Sequence, residues 1–424
     1  MYTQKEGKRK MKKIVKTWNS IPTLLKIAVG LLIGIVLGIV APKATWVGIF
    51  GDVFVGALKA VAPVLVFLLI CSALSKAKPH IGKRFVTVIV LYMVTTLTAA
   101  IIAVVASYAF PVTITLSGAA DSAAPSGLGE VFRTLLSNMV QNPVAAIVGG
   151  NYISILFWSV VFGLCLKAVA KETTLDMVSD LSDAVSKVVA FVISFVPFGV
   201  MGLVFQSVSQ NGLSIFTEYG KIILVLVGAM VFSALIVNPL IVALFLKRNP
   251  YPLVFTCLRE SGITAFFTRS SAANIPMNMR LCEKLGIEKD FYSISIPLGA
   301  TINMDGAAVT ITVMTMAMCH TLGVSVNPLM AVVLCVLSVL GACGASGVAG
   351  GSLLLIPMAC SLFGISSDLA MEAVAVGFVI GVIQDSVETA LNSSGDAIFT
   401  ATAEYHIRRK LGKDVNFLGE FAKK

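Results

Sequence analysis

Charged residues are scarce in this 424-residue chain: Asp, Glu, Lys and Arg together make up 13% of it. Soluble domains carry about a quarter. Hydrophobic residues reach 57%, and the mean hydropathy is +0.92. This composition excludes an ordinary water-soluble globular protein. The formal net charge is +10, from 32 basic and 22 acidic residues. In a membrane protein such an excess indicates orientation, so no nucleic-acid partner is predicted.

Histidine is also rare, with three residues, His80, His320 and His406, that lie far apart in the sequence. The eight cysteines lie mostly within or beside apolar runs, and no two form a Cys-x-x-Cys motif. These absences argue against a histidine-based catalytic triad, a zinc site and a disulfide framework. We expect the cysteines to be small buried thiols.

Long apolar runs dominate what remains. A membrane helix needs about 20 mostly apolar residues, and residues 85–110 contain no charge at all. The candidate spans are residues 24–41, 53–74, 85–110, 143–170, 185–208, 222–245, 294–322, 328–363 and 369–403. The first run follows a long basic arm, so we interpret it as a membrane helix rather than a cleaved signal peptide. The pattern predicts an all-α polytopic membrane protein embedded in a lipid bilayer.

The basic residues predict the topology. With a cytoplasmic N-terminus, 26 of the 32 basic residues fall in cytoplasmic segments, and the C-terminus is also inside. This holds only if residues 253–279 and 328–363 enter and leave the membrane on their own side. The first segment contains Arg269 and Pro276, and residues 341–352 of the second contain five glycines. Irregular backbone at membrane depth must be buried or line a cavity. Two broken hairpins indicate an inverted-repeat transporter core.

A polar face runs along the last apolar helix. At α-helical periodicity five side chains fall within an arc of roughly 100°. They are Asp385, Glu388, Thr389, Asn392 and Asp396. Charges inside a membrane are costly and mark binding sites or pathways by default. A structural polar seam between helices is the alternative interpretation.

A second polar cluster, Asn303-Met304-Asp305-Gly306, interrupts another apolar run. Gly306, with Gly299 upstream, can loosen the helix and free backbone carbonyls. Carbonyl and carboxylate oxygens are hard ligands that suit an alkali or alkaline-earth ion. A simple turn is the alternative, although a turn within lipid would leave its backbone without partners.

A third cluster, Tyr92, Thr95 and Thr96, shares one face of the charge-free run. By itself this signal is weak, because hydroxyls in membrane helices mostly bond their own backbone or a neighbouring helix.

The charges of this candidate core do not balance. The acids Asp305, Asp385, Glu388 and Asp396 contribute −4 and Arg269 contributes +1, which leaves −3. Bound cations and a substrate ammonium group would supply the compensation.

Four motifs in order resemble one known family. They are residues 268–271 (Thr-Arg-Ser-Ser), 303–306 (Asn-Met-Asp-Gly), 347–351 (Gly-Val-Ala-Gly-Gly) and the acidic helix 385–396. Over nearly the whole chain they resemble the dicarboxylate/amino acid:cation symporters, the glutamate-transporter family. The resemblance implies eight transmembrane helices, two re-entrant helical hairpins with inverted repeats, and a homotrimer in the bacterial inner membrane. It implies an elevator-type transporter, not an enzyme, with Na⁺ as the bound coupling ion and no organic cofactor.

The resemblance also implies a domain division. Residues 1–23 would be a cytoplasmic basic arm, and residues 24–248 mainly scaffold and trimerisation helices, with the third and sixth helices joining the transport domain. Residues 249–403 would form the transport core, and residues 404–424 a cytoplasmic tail.

Individual roles follow from the resemblance. Asp385 would bind the substrate ammonium group, and Asn392 with the backbone at Ser271 and Val348 would bind its carboxylate. The implied substrate site comprises Arg269, Ser270, Ser271, Val348, Gly351, Asp385, Glu388, Thr389 and Asn392. One implied sodium site comprises Gly299, Asn303, Asn392 and Asp396. A second comprises Tyr92, Thr95, Thr96, Asn303 and Asp305. A third comprises Thr301 with the hairpin backbone at Ala342, Cys343 and Ala345.

The sequence departs from acidic-substrate members at Glu388, where such members often carry an arginine one residue before the threonine. We expect Glu388 to pair with Arg269, which would leave a neutral pocket for a small hydroxy amino acid such as serine or threonine. Thr389 could then bond the substrate hydroxyl.

Other functions remain open at this point. The main alternative is a symporter for acidic amino acids or C4-dicarboxylates, coupled to sodium or to protons. An intramembrane aspartyl protease would use two membrane aspartates as an acid–base pair, but the expected Gly-x-Gly-Asp context is missing from the sequence. A passive channel would give flux without concentrative uptake.

Overall fold

The computed structural model describes residues 23–76, 83–116, 136–137, 139–345, 350–413 and 415–423. This part of the chain is helical and contains no β-strand, which confirms the predicted all-α class. The α-helices are α1 Thr23–Val40, α2 Ile49–Ser75, α3 Lys83–Ala109, α4 Pro143–Gly149, α5 Tyr152–Val169, α6 Glu172–Ile193, α7 Val196–Asn211, α8 Ile215–Phe232, α9 Asn238–Leu246, α10 Tyr251–Cys257, α11 Ile263–Thr268, α12 Ser271–Lys284, α13 Lys289–Ile302, α14 Asp305–Thr321, α15 Pro328–Ala342, α16 Ile356–Ser361 and α17 Ser367–Lys410. The π-helical turns Ser233–Val237 and Leu258–Gly262 join α8 to α9 and α10 to α11.

Six helical stretches in the described residues are long and apolar enough to cross a membrane. They are Thr45–Ser72, Lys83–Ala109, Tyr152–Val169, Gly212–Leu246, Lys289–Thr321 and Ser367–Lys410. Helices α6 and α7 would add a seventh span if the pair, bent by 53°, counts as one. The chain is therefore a multi-pass membrane protein.

Two predicted spans are divided in the structure. The run 143–170 separates into α4 and α5 at Gly150, whose φ of 65° ends α4 in the left-handed region. Asn142 and Asn151 cap the two helices with their side chains. The run 185–208 is broken between α6 and α7, and Pro197 lies in the first turn of α7. Pro at that position is compatible with a helix start but not with a continuous helix interior.

Two helix–turn–helix units occupy the segments that were too irregular to cross in one piece. In the first, α11 ends at Thr268, and the next residue, Arg269, adopts φ 51°. Ser270 then caps α12 by accepting a hydrogen bond of 3.2 Å from the Ala273 N–H. In the second, α15 ends at Ala342, and the chain returns through the 3₁₀ turn Ser352–Leu355 into α16. We call these units hairpin 1 (251–284) and hairpin 2 (328–361).

Helix α14 lies at the centre of the molecule. Its residues from Asp305 to Cys319 are all buried, as expected for a helix that is surrounded by others. It packs against α3, α17 and hairpin 2. The long helix α17 contributes to both hydrophobic clusters of the protein, one around α14 and one around hairpin 1 and the first half of α3. The start of α14 and the middle of α17 therefore meet in the interior.

An ion cluster joins α3 to the far end of α17. Glu404 is fully buried, with Arg84 Nη1 at 3.1 Å and Arg408 Nε at 2.7 Å from its carboxylate oxygens. Arg84 also pairs with Glu288 and lowers the pKa of that carboxyl below its ordinary value. Two arginines compensate the buried charge of Glu404. The ion pairs therefore account for the presence of this acid inside the protein.

Candidate functional site

The interrupted apolar run 294–322 is a broken helix in the structure. Helix α13 ends at Ile302, Asn303 and Met304 are non-helical, and α14 begins at Asp305. Gly306 allows the start of α14 to lie directly on α17, because a Cβ there would be 2.8 Å from Glu388 Cα. The Gly306 N–H donates to Asn392 Oδ1 at 2.7 Å. The break thus places both polar clusters of the sequence next to each other.

Asp396 is the centre of a first group of oxygen atoms. Asn303 Nδ2 donates to Asp396 Oδ1 at 3.0 Å and to the Asn392 carbonyl at 3.2 Å. The backbone of Gly299 lies against the same carboxylate, because a Cβ added at Gly299 would be 2.7 Å from Asp396 Oδ1. Asp396 Oδ2 is buried and has no hydrogen-bond partner among the described residues. All four residues of the first implied sodium site therefore converge, and they leave one carboxylate oxygen unpaired.

Asp305 is the centre of a second group. Thr96 Oγ1 lies 3.0 Å from Asp305 Oδ1, and Thr95 Oγ1 lies 3.2 Å from Asn303 Oδ1. Both hydroxyls are also within 3.1 Å of the Tyr92 carbonyl, so their own backbone competes for the same hydrogens. The Tyr92 hydroxyl points instead to Thr400 and the Asp396 carbonyl. Tyr92 consequently contacts both groups, one through its carbonyl and one through its hydroxyl.

The third implied cation set is less compact. Thr301 is exposed, and within the described residues its hydroxyl bonds the Leu298 carbonyl of its own helix, at 2.7 Å. Hairpin 2 reaches the end of α13 through Cys343 Sγ, which lies 3.7 Å from the Ile302 carbonyl. Ala342 is buried in the same hairpin, and Ala345 lines the cavity described next. The structure brings the tip of hairpin 2 to the end of α13 but does not direct Thr301 toward it.

A small cavity of about 10 Å³ lies between the two hairpins and α17. This volume is room for about one water molecule. Its walls are Arg269, Ser271, Met304, Ala345, Ser352, Asp385, Glu388, Thr389 and Asn392. Six of the nine predicted substrate residues are in this wall. Of the others, Ser270 caps α12, Gly351 precedes the 3₁₀ turn of hairpin 2, and Val348 lies outside the described residues.

Arg269 pairs with Asp385 and not with Glu388, so the predicted Arg269–Glu388 pair is wrong in this structure. Arg269 Nε lies 3.0 Å from Asp385 Oδ2, and the two side chains are 11% and 5% exposed. The reason is geometric: the left-handed turn at Arg269 faces the helical turn of α17 that carries Asp385. The Gly350 N–H of hairpin 2 donates to Asp385 Oδ1 at 3.2 Å. Asp385 thus receives contacts from both hairpins.

Residues 23–405 match the sequence profile of the sodium:dicarboxylate symporter family. The chain belongs to this family. The serine/threonine transporter SstT of Bifidobacterium adolescentis is 56% identical over 403 residues, which are 95% of this chain and 94% of that protein. Proteins of the same name from Streptococcus agalactiae and Streptococcus thermophilus are 55% and 53% identical over 396 residues, 93% of this chain and 98% of each relative. A member of this symporter family is a transporter and not an enzyme, which removes the protease interpretation.

The symporter contains polar residues at this site that the sequence did not indicate. Glu388 is held by three of them: Thr310 Oγ1, Ser352 Oγ and Gln384 Nε2 lie 2.7, 2.9 and 2.5 Å from Glu388 Oε2. Gln384 also donates to Thr310 Oγ1, at 2.7 Å. In the sequence, these three residues are marked only as polar residues within apolar runs.

Asn238 is a further residue that was missed. Its Nδ2 lies 3.4 Å from Asp305 Oδ2. It begins α9 directly after a π-helical turn and precedes Pro239, and π-helical turns are frequent at functional sites. An Asn-Pro pair inside an apolar run was the available signal.

The electrostatics of the symporter site are unbalanced. Asp305, Asp385, Glu388 and Asp396 are all buried, and in the described part of the chain only Asp385 has an ion-pair partner. Four acids and one arginine sum to −3. An ionised carboxylate taken out of water costs several kcal/mol unless other charges compensate it. The site is therefore suited to receive cations.

Proposed function

We propose that this symporter imports serine and threonine together with sodium across the bacterial inner membrane. The observation that carries the proposal is the buried site with three uncompensated carboxylates, Asp305, Glu388 and Asp396. Bound sodium ions would neutralise these carboxylates, because a zwitterionic amino acid adds no net charge. The relatives at 53–56% identity are named serine/threonine transporters, which supports this choice of substrate.

The donor chemistry fits sodium. Sodium is a hard cation and prefers the carboxylate, amide, hydroxyl and carbonyl oxygens that both groups supply. The unpaired Asp396 Oδ2 supports a cation among Gly299, Asn303, Asn392 and Asp396. The second cation would use Asp305 and Asn303 with the Tyr92 carbonyl and the hydroxyls of Thr95 and Thr96. Thr301 with Ala342, Cys343 and Ala345 would form a third site after movement of hairpin 2.

The substrate would bind in the cavity between the hairpins. Its ammonium group would replace Arg269 at Asp385, an exchange of one cation for another. Its carboxylate would bind Asn392 and the backbone of the hairpin tips at Ser271 and Val348. Because the cavity has a volume of about 10 Å³, the hairpins must separate before an amino acid enters.

Hairpin 2 provides a physical link between substrate and ions. It donates to Asp385 through Gly350 and to Glu388 through Ser352, and Cys343 contacts the end of α13. Ligands that neutralise these acids would change the stability of the closed hairpin. Since coupling is reciprocal, sodium would raise the affinity for the amino acid and the amino acid would raise that for sodium.

We further propose eight membrane helices and two re-entrant hairpins, both termini in the cytoplasm, and a homotrimer. The polar turns at Arg269 and Ala345 both reach the same cavity, which is the arrangement tolerated for irregular backbone at membrane depth. Residues 24–248 would be mainly scaffold, and residues 249–403 the moving core, with α3 and α8–α9 attached to it.

The elevator motion is supported by a loosely packed boundary. A cavity of about 380 Å³ lies between α2 and α7 on the scaffold side and α8 with the first turns of α17 on the side of the core. Lys59 of α2 pairs with Asp368 of α17 across this boundary. Both side chains are largely exposed, so the pair can separate at little cost in free energy.

Transport can be tested with purified protein in liposomes. We expect uptake of radiolabelled serine against its gradient when sodium is imposed outside, and inhibition by threonine. Uptake that survives removal of sodium, or that aspartate or succinate inhibits better than threonine does, would favour the acidic-substrate or dicarboxylate alternative. Arg269 is the residue that could hold such a side-chain carboxylate. Flux without accumulation would indicate a channel.

Cross-linking tests the motion separately. With cysteines at Lys59 and Asp368, a short bifunctional thiol reagent would tether α2 to α17. We expect serine uptake to stop while serine binding persists, because the tether blocks only the displacement of the core. The two variants that carry only one of the added cysteines, treated with the same reagent, control for reaction at the native cysteines. Full uptake by the cross-linked pair would contradict a sliding core.

A further inference from the structure

The junction of α8 and α9 turns an amide side chain into the protein interior at Asn238. The buried face of α8 repeats every three or four residues and reaches Ser233. In a regular α-helix the next inward positions would be 236 and 237, but Ile236 is 48% exposed and Asn238 is 2% exposed. The π-helical turn Ser233–Val237 adds one residue to the helix, and the Asn238 N–H bonds the Ser233 carbonyl. This added residue places Asn238 on the inner face.

Pro239 accounts for the irregular turn. Proline has no N–H and cannot continue the hydrogen-bond ladder of a helix interior. In an α-helix the N–H of residue 239 would bond the Leu235 carbonyl, and here the hydroxyl of Tyr251 donates to that carbonyl at 3.3 Å. The helix therefore gives up regular backbone bonding at the point where it buries a polar side chain. Such π-helical turns are frequent at functional sites.

The amide of Asn238 faces one oxygen of Asp305. Asn238 Nδ2 lies 3.4 Å from Asp305 Oδ2, which is longer than the roughly 2.7–3.2 Å of an ordinary N–H···O bond. Among the described residues, Oδ2 accepts no other hydrogen bond, whereas Oδ1 accepts one from Thr96 at 3.0 Å. One oxygen of a fully buried carboxylate is thus held only by a weak contact.

The spacing of these two groups suits the coordination of a cation. Oxygen ligands bind Ca²⁺, an ion of nearly the same size as Na⁺, at about 2.3–2.6 Å. Two ligands at right angles around an ion with bonds of about 2.4 Å are about 3.4 Å apart. An amide that turns by about 180° about its last side-chain bond exchanges its nitrogen and oxygen in the same place. With its amide turned, Asn238 presents Oδ1 to a cation bound at Asp305.

We propose that Asn238 is a further ligand of the second cation site, contributed by α9. Its N–H holds Asp305 while the ion is absent, and its amide oxygen binds the ion when sodium is present. This inference rests on the proposed function, in which α3 and the break before α14 supply the other ligands. A carboxamide oxygen is a hard ligand that suits sodium. Sodium bound in this way connects α9 to α3 and α14.

A second role for the same amide makes the opposite prediction. If Asn238 only donated to the ion-free carboxylate, it would oppose sodium, because the ion would have to displace it. Its removal would then raise the affinity for sodium. The removal of a ligand lowers the affinity, because the state with bound sodium loses the larger stabilisation. The sign of the change therefore distinguishes the two roles.

The test is a sodium titration of the purified full-length protein, followed by Tm, with choline as the replacement cation and no amino acid present. A ligand raises Tm because it stabilises the folded state that binds it. Asn238→Leu replaces the amide by an apolar side chain of similar size. We expect the sodium concentration needed for a given rise of Tm to increase by about 5- to 30-fold. A change in packing alone would lower Tm equally in sodium and in choline.

Two further variants and a control complete the design. Asn238→Asp retains an oxygen in the same place and should bind sodium at least as tightly as the wild type. Asn238→Ser is too short to reach the ion and should lose affinity like Asn238→Leu, so it decides the question if the leucine variant does not fold. Ser233→Ala removes a buried hydroxyl of the same turn, which has no hydrogen-bond partner among the described residues. It should titrate like the wild type.

Three outcomes would overturn the inference. Tighter sodium binding by Asn238→Leu would assign the amide to the ion-free state alone, and an unchanged titration would remove it from the cation site. An equal shift in Ser233→Ala would attribute the effect to the packing of the turn. Each of these results leaves the proposed function intact. A wild-type protein whose Tm does not rise with sodium would contradict the proposed function itself.

Discussion

Asp385→Asn is expected to abolish serine and threonine binding while leaving the protein folded. Asn has nearly the same shape as Asp but cannot neutralise an ammonium group. It would also leave the buried guanidinium of Arg269 without its anionic partner. Removing one member of a buried charge pair costs about 2–5 kcal/mol, or roughly 30- to 4,000-fold in affinity. Equilibrium binding of radiolabelled serine at saturating sodium measures this loss.

The matched control is Glu372→Gln on the same helix. Glu372 lines the large cavity near the start of α17 and not the small cavity between the hairpins. Its substitution also removes one carboxylate, so it controls for the change in net charge. We expect its serine affinity to equal that of the wild type. Serine affinity retained by Asp385→Asn would remove Asp385 from the ammonium site.

Helical periodicity made the acidic face of α17 predictable. Asp385, Glu388, Thr389 and Asn392 were expected on one face from their spacing, and all four line one cavity. The break at Asn303 and Met304 was also predictable, because polar residues and glycines interrupt an otherwise apolar run. Both features are local, so they depend on residues close in sequence.

The partners of these residues could not be predicted in the same way. Thr310, Ser352 and Asn238 come from three other parts of the chain, and only the tertiary packing brings them to the acids. Charge matching alone suggested that Arg269 would pair with Glu388. In the structure Arg269 lies against Asp385 instead. The turn of hairpin 1 sets this partner, and the dihedral angles of that turn cannot be predicted from the charges of the residues.

Span boundaries were the least predictable part of the fold. A hydropathy window does not register the caps at Asn142 and Asn151 or the left-handed Gly150 that divide α4 from α5. A Gly-Gly-Asn sequence at 149–151 was the local signal. The bend before α7 was similarly marked by Pro197. Apolar content thus identifies the helices, while polar and conformationally special residues decide where they end.

Asp396→Asn is expected to shift the sodium requirement of serine binding to much higher sodium concentrations. Asp396 is fully buried, and its Oδ2 has no hydrogen-bond partner in the described residues. A neutral amide is a weaker ligand, and the substitution changes the net charge of the site from −3 to −2. One cation is therefore bound less tightly. Truncating a buried charge that contacts a ligand ion costs about 2–5 kcal/mol. Serine affinity should recover at saturating sodium, since the two ligands are linked.

Asp305→Asn provides a graded comparison. Both oxygens of Asp305 already accept hydrogen bonds, one from Thr96 and one from Asn238, whereas Asp396 has an oxygen free for an ion. The Asp396 variant should therefore show the larger shift. Tm measured against sodium concentration, with choline as the replacement cation, reports binding directly because a ligand stabilises the state that it binds. Asp52, which accepts a hydrogen bond from Gln206 Nε2 outside the site, is the matched control, and Asp52→Asn should titrate like the wild type. An unchanged titration in either site variant would remove that aspartate from the cation sites.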